Sequence, residues 1–133
     1  MFYLIEDLAM KILTSYYANT RNVDGYKVQI SVSAPVDALV DYNFGSISPN
    51  KSTLWNHKNR MINDAQYTKE YLDKLNSNKE SILAEMKQII ANANLAKEDK
   101  VILLCWEGKS KFCHRHLFAK WYKQQTGVEI TEL

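Results

Sequence analysis

The run Val101-Ile102-Leu103-Leu104-Cys105-Trp106 is apolar throughout, with no polar residue alternating into it. A segment of that kind suits a strand buried on both faces, as in the interior of a parallel sheet. Loop character follows, with Gly108 and Ser110 as turn signals. Cys113-His114-Arg115 then stands where a helix begins. Leu117, Phe118, Trp121 and Tyr122 form the apolar face of that helix, and Gly127 sits at the expected C-terminal cap. A strand–loop–helix unit aims backbone N–H groups and the positive end of the helix dipole at whatever lies over the loop. Glu107, Cys113, His114 and Arg115 are therefore expected at one sheet edge, where open α/β folds bind ligands.

The rest of the chain supplies partners for that unit. Ile12 to Tyr17 reads as a first strand. Tyr26 to Ser33, which alternates Val28, Ile30 and Val32 with polar residues, reads as a second. Between them Asn19–Gly25 is a turn-rich loop carrying Arg21. After Ala34-Pro35, Val36 to Val40 is a short helix or turn. Asp41 to Lys58 holds Gly45, Pro49 and several Asn and Ser residues and reads as a long ordered loop. Trp55, His57 and Arg60 lie on it or just beyond. Asp64 to Leu75 places Tyr67, Tyr71, Leu72 and Leu75 at helical spacing. Ser77 and Glu80 form a capping box for a further helix, whose apolar face is Ile82, Leu83, Met86, Ile89, Ile90 and Ala93. Val128 to Thr131 adds a short edge strand. The expected fold is α/β, a small three-layer Rossmann-like sandwich with a mostly parallel sheet. Met10-Lys11 is a natural start, so a single α/β domain is expected over residues 10–133, with residues 1–9 as an N-terminal extension.

At 133 residues the chain is long enough for one core. Its net charge of +2 is too mild to argue for nucleic-acid binding by bulk electrostatics. Lys109, Lys111, Arg115, Lys120 and Lys123 nevertheless crowd the organising stretch, where Glu107 is the only acid. That distribution favours a small anionic ligand as partner and makes nucleic acid the weaker expectation. Two cysteines make no disulfide framework, and Cys113 in a basic setting suggests a reducing compartment. Met1 to Ala9 lacks a basic n-region and no apolar run reaches membrane-spanning length, so a cytoplasmic protein without a membrane partner is expected.

Cys113 at a helix start beside Lys111 and Arg115 has its thiolate favoured, and a thiolate is a nucleophile. The bland alternative is a half-buried cysteine under Phe112. Arg115 stands in a first helical turn, where a cation is disfavoured. It is expected to hold an anion or to pair with Glu107. His114 titrates near neutrality and suits acid–base work, whereas His116 falls on the polar side of the helix. Glu107 at a strand end suits proton exchange or gripping a ribose or base edge. Arg21, Tyr16 and Tyr17 belong to the first strand and its loop and, with Trp106, are expected ligand contacts. The spacing of Cys105, Cys113 and His114 matches no structural zinc motif, so no metal and no cofactor is expected. No Gly-rich phosphate fingerprint is present.

The segment LLCWEGKSKFCHRHLFAKW resembles the C-terminal signature of the domain-of-unknown-function 488 family, in which an apolar strand ends in Cys-x-Glu and Cys-His-Arg follows. KILTSYYANTRNV, QISVSAP and Pro49 are similar to the version of that family beginning near Met10. The resemblance spans most of Met10 to Tyr122 and marks Glu107, Cys113, His114 and Arg115, with Arg21. It implies a small cytosolic α/β protein of bacteria or their phages, with suggested links to nucleotide, base or DNA processing. Two functional expectations follow. One is an enzyme-like domain, a hydrolase or transferase, acting on a nucleotide- or base-derived ligand. The other is a non-catalytic module that captures such a ligand or a partner macromolecule.

Overall fold

The apolar run folds as the middle strand of the sheet, which is why both of its faces are buried. The computed structural model describes residues 10–108 and 111–133. The extension expected over residues 1–9, and Lys109 and Ser110, lie outside the described residues. The elements in chain order are β1 (Lys11–Tyr16), β2 (Tyr26–Gln29), β3 (Tyr42–Asn43), α1 (Lys51–Lys58), α2 (Asp64–Ser77), α3 (Lys79–Leu95), β4 (Lys100–Cys105), α4 (His114–Thr126) and β5 (Thr131–Glu132). Every described strand pair is parallel, and the sheet order is β3-β2-β4-β1-β5.

Chirality decides what covers each face. The connections β1→β2 and β2→β3 run one way across the sheet, whereas β3→β4 and β4→β5 run the other. Right-handed crossovers then lie on opposite faces. The helices belong to the second pair of connections, and their apolar stripes meet Ile12, Val28, Ile30, Val101, Leu103 and Cys105. Tyr71, Leu75, Ile82, Met86, Ile89 and Phe118 come from α2, α3 and α4 to fill that core. On the opposite face Tyr17, Ile102 and Leu104 are covered by Val23, Ala34, Ala38 and Val40 from the two crossovers that hold no α-helix. The result is a three-layer α/β sandwich whose third layer is loop. Gly25 lets the first crossover lie this close: at φ 153° a side chain there would stand 2.8 Å from Ile102 Cδ1.

Several boundaries differ from expectation. Residues 41–58 are not one long loop, since they hold β3, a single 3₁₀ turn and the helix α1. Only Thr53 of α1 is fully buried, so the apolar periodicity that announces a helix is absent. Tertiary anchors hold it instead, among them Thr53 Oγ1–H donating to Glu70 at 2.8 Å. The capping box also fails. Ser77 is the last residue of α2, so it lacks the extended backbone an N-cap requires, and Asn78 joins α2 to α3 without a capping side chain. The edge strand forms slightly later than expected, at Thr131–Glu132, and pairs with β1. Gly127 caps α4 at φ 76° as expected.

Candidate functional site

β2 ends four residues before the expected Ser33, and that early exit builds the site. Ile30 N–H still bonds Leu104 O at 3.0 Å. Ser31 then turns its hydroxyl onto the Ser33 carbonyl and onto Tyr17 Oη, at 2.5 and 2.6 Å, which peels the chain off the sheet. A pocket of about 610 Å³ opens in the crevice between this segment and the loop after β4. Chains leaving β2 and β4 pass to opposite faces there, the position at which open α/β sheets bind ligands. Ser31, Ser33, Leu54, His57, Lys58 and Tyr67 line it together with Trp106, Glu107, Lys111, Phe112, Cys113 and His114.

Of the expected site residues, Glu107, Cys113, His114 and Trp106 meet in this pocket. Burial, reinforced by the nearby Glu107 charge, pushes the Tyr67 phenol well above its ordinary pKa. His114 is buried, and its Nε2–H donates to the Ile30 carbonyl, 2.6 Å away, that β2 left free. Nδ1 is therefore the unprotonated nitrogen, and it stands 3.7 Å from Cys113 Sγ. Burial pushes the His114 pKa down to about 4, against the Ile30 contact, with the Arg115 charge adding to the depression. The ring is neutral at pH 7, which makes it a weaker base than the sequence implied.

The sulfurs of Cys105 and Cys113 are in contact, across a Cα separation of 7.8 Å. That separation exceeds the roughly 4.4–6.8 Å that an unstrained disulfide spans. His114 joins them, so one ligand atom from each of Cys105, Cys113 and His114 lies within 4.8 Å of the others.

Arg115 faces the other way. It is 0% exposed. Its Nε–H donates to both Glu132 carboxylate oxygens at 3.1 and 3.2 Å, and Nη2 donates to Glu132 Oε2 at 3.0 Å and to Gly108 O at 3.1 Å. Nη1 donates to Glu107 O at 2.7 Å and to Cys105 Sγ at 3.0 Å. The Tyr16 ring lies 5.7 Å from the guanidinium carbon. No N–H is left for an anion, and the carboxylate expected as its partner, Glu107, is replaced by Glu132. The reason is topological: β5 lies beside β1 and carries Glu132 to the foot of α4.

Arg21 stays away from the pocket. It pairs with Asp37 at 3.2 Å on the loop-covered face, where both side chains are largely exposed. Tyr17 is buried behind the pocket wall, its hydroxyl on Ser31 and its ring edge-to-face with Trp106 at 5.6 Å. Trp106 is 50% exposed and is oriented by Nε1–H donating to Ser33 O at 2.8 Å. His57 and Tyr67 are the side chains that sequence reasoning left out. His57 Nε2 bonds Asp64 at 2.7 Å, and its ring sits 4.8 Å from Tyr67 and 5.1 Å from Phe112. The available signal was a histidine followed seven residues later by the acid that opens α2.

The family model described as the active DUF488-N3 subclade (DUF488-N3a) matches residues 10–126, and the chain belongs to that family. No curated protein and no solved structure matches it. Among the described residues, no helix is long and apolar enough to cross a membrane.

Proposed function

We propose that this member of the DUF488-N3 subclade is an enzyme-like domain. Its ligand is small and anionic with a planar ring, of nucleobase or nucleotide type, and it binds in the pocket between β2 and β4. One observation carries the reading: Glu107, Cys113 and His114 line the same pocket as Trp106, Tyr67 and Phe112. A volume of about 610 Å³ suits such a ligand. The half-exposed Trp106 and the Phe112 and Tyr67 rings give stacking surfaces, which accept a base through its π-face. Lys58 and Lys111 are exposed and line the pocket, so they supply the positive charge that Arg115 cannot. Glu107 exchanges a proton with the ligand or grips its donor groups, in a hydrolysis or transfer at a glycosidic or related bond. A cytoplasmic setting, which keeps thiols reduced, suits the cysteines.

A second reading, capture without turnover, is favoured by the Cys105–Cys113 contact, which leaves Cys113 no free approach as a nucleophile. A thermal-shift screen against nucleotides, nucleosides, free bases and phosphate esters separates these. A compound that binds only the folded chain raises its melting temperature. We expect a hit in the wild type that weakens in Lys111→Ala, and conversion of that compound lost in Glu107→Gln with binding kept. Binding with no conversion supports the capture reading. If nothing in the set shifts the wild type, both readings fall.

A further inference from the structure

We propose that Cys105, Cys113 and His114 hold one soft divalent cation of the zinc type at the floor of the pocket, with a coordination position left open toward the ligand. The proposal deepens the pocket reading, and rests on it for what the open position faces.

Size is the first argument. Zinc bonds run about 2.3 Å to sulfur and 2.0–2.1 Å to nitrogen, so two ligands across one ion stand no more than about 4.6 Å apart. The three candidate atoms lie within 4.8 Å of one another, a few tenths of an ångström wider than that span, so a small side-chain adjustment would close them on an ion; all three residues are buried. The Cα separation of 7.8 Å, too wide for a relaxed disulfide, leaves room for two thiolates to part around an ion.

Outer contacts are the second argument. A histidine that ligates through one nitrogen nearly always donates its other N–H to a carbonyl or carboxylate. His114 Nε2–H does this to Ile30 O, leaving Nδ1 aimed at the cysteines. Cys105 Sγ receives Arg115 Nη1–H, a contact that holds a thiolate in place. The charges also close. Two thiolates neutralise a divalent ion, and Arg115 is already neutralised by Glu132.

Two sulfurs and an imidazole select a zinc-type ion over magnesium or calcium, which take oxygen ligands. Three protein ligands with a fourth position open is the pattern of catalytic rather than structural zinc. Cys113 and His114 line the pocket and Cys105 does not, so the open position faces the pocket, whose wall includes Glu107. An ion there would supply a Lewis acid beside that carboxylate.

The test is anaerobic cobalt(II) titration of the reduced full chain, followed by zinc competition. We expect one cobalt per chain with sulfur-to-cobalt charge-transfer absorption, bleached on adding zinc. Cys113→Ser and His114→Asn should each weaken cobalt by more than the roughly 10–100-fold that loss of an outer partner costs. Far-UV circular dichroism checks that these variants fold. If either does not, the wild type decides alone, through the charge-transfer band and its removal by a chelator. The assignment is overturned if the reduced, folded wild type with both thiols titratable shows no charge-transfer band. Unchanged cobalt binding by folded Cys113→Ser overturns it too, as does a sulfur pair that stays oxidised under reductant. The pocket reading is judged separately, by nucleotide and base thermal shifts on chelator-treated protein. A shift there without cobalt binding removes the metal site and keeps the pocket. Cobalt binding with no such shift keeps the metal site and removes the ligand class.

Discussion

His114 and Arg115 are neighbours in the first turn of α4, yet they serve two unlike clusters. On the Arg115 side every polar group is answered: the guanidinium has acceptors for all its N–H groups, and Glu132 also receives Thr14 Oγ1–H at 2.6 Å. On the His114 side a pocket opens, and Glu107, Lys58, Lys111 and half of Trp106 are left to face it. A satisfied cluster ties three elements together, here β1, α4 and β5. An open cluster contributes little to stability and offers its groups to something else. The difference teaches that a cation in a sequence motif need not be the one that meets the ligand.

The largest effect should come from breaking the satisfied side. Arg115→Ala leaves the Glu132 carboxylate part-buried without its cation, and is expected to cost about 3–5 kcal/mol. Urea unfolding measures this; a loss below about 1 kcal/mol would show that the cluster does not brace the fold. On the open side, Trp106→Ala should move stability little. It should weaken whichever compound stabilises the wild type by about 1–3 kcal/mol, the value of one base stacked on an aromatic ring. Calorimetric titration checks it, and unchanged affinity would remove Trp106 from the pocket's function.

A smaller effect lies between the two sides. Tyr17→Phe deletes one buried hydrogen bond, to Ser31 behind the pocket wall, at a cost of about 0.5–1.5 kcal/mol. If the wall is held there, ligand affinity should drop along with the melting temperature. Arg21→Ala should do least. Its ion pair with Asp37 is exposed, so unfolding should shift by less than about 0.5 kcal/mol and ligand binding not at all. A binding loss in Arg21→Ala would extend the site onto the loop-covered face.

Features written in contiguous residues were legible from the chain alone. The buried strand, the amphipathic faces of α2, α3 and α4, and the Gly127 cap each depend on neighbours within a few positions. The parallel α/β class follows from their order. The placing of Glu107, Cys113 and His114 near one sheet edge was legible as well, because a strand, a tight loop and a helix can meet in few ways. Helix α1 was not, since its residues carry no apolar stripe and it depends on contacts with α2.

Local chemistry in the sequence therefore determined the layers and the sheet edge that carries Glu107, Cys113 and His114. Only the tertiary structure decided which charges meet. Glu132 reaches Arg115 because β5 docks beside β1, and His57 reaches the pocket because α1 folds against α2. Cys105 reaches Cys113 because the end of β4 lies beneath the start of α4. Backbone preferences act over a few residues, whereas the pairing of a buried charge or a sulfur is set by whichever group the packed fold delivers to it.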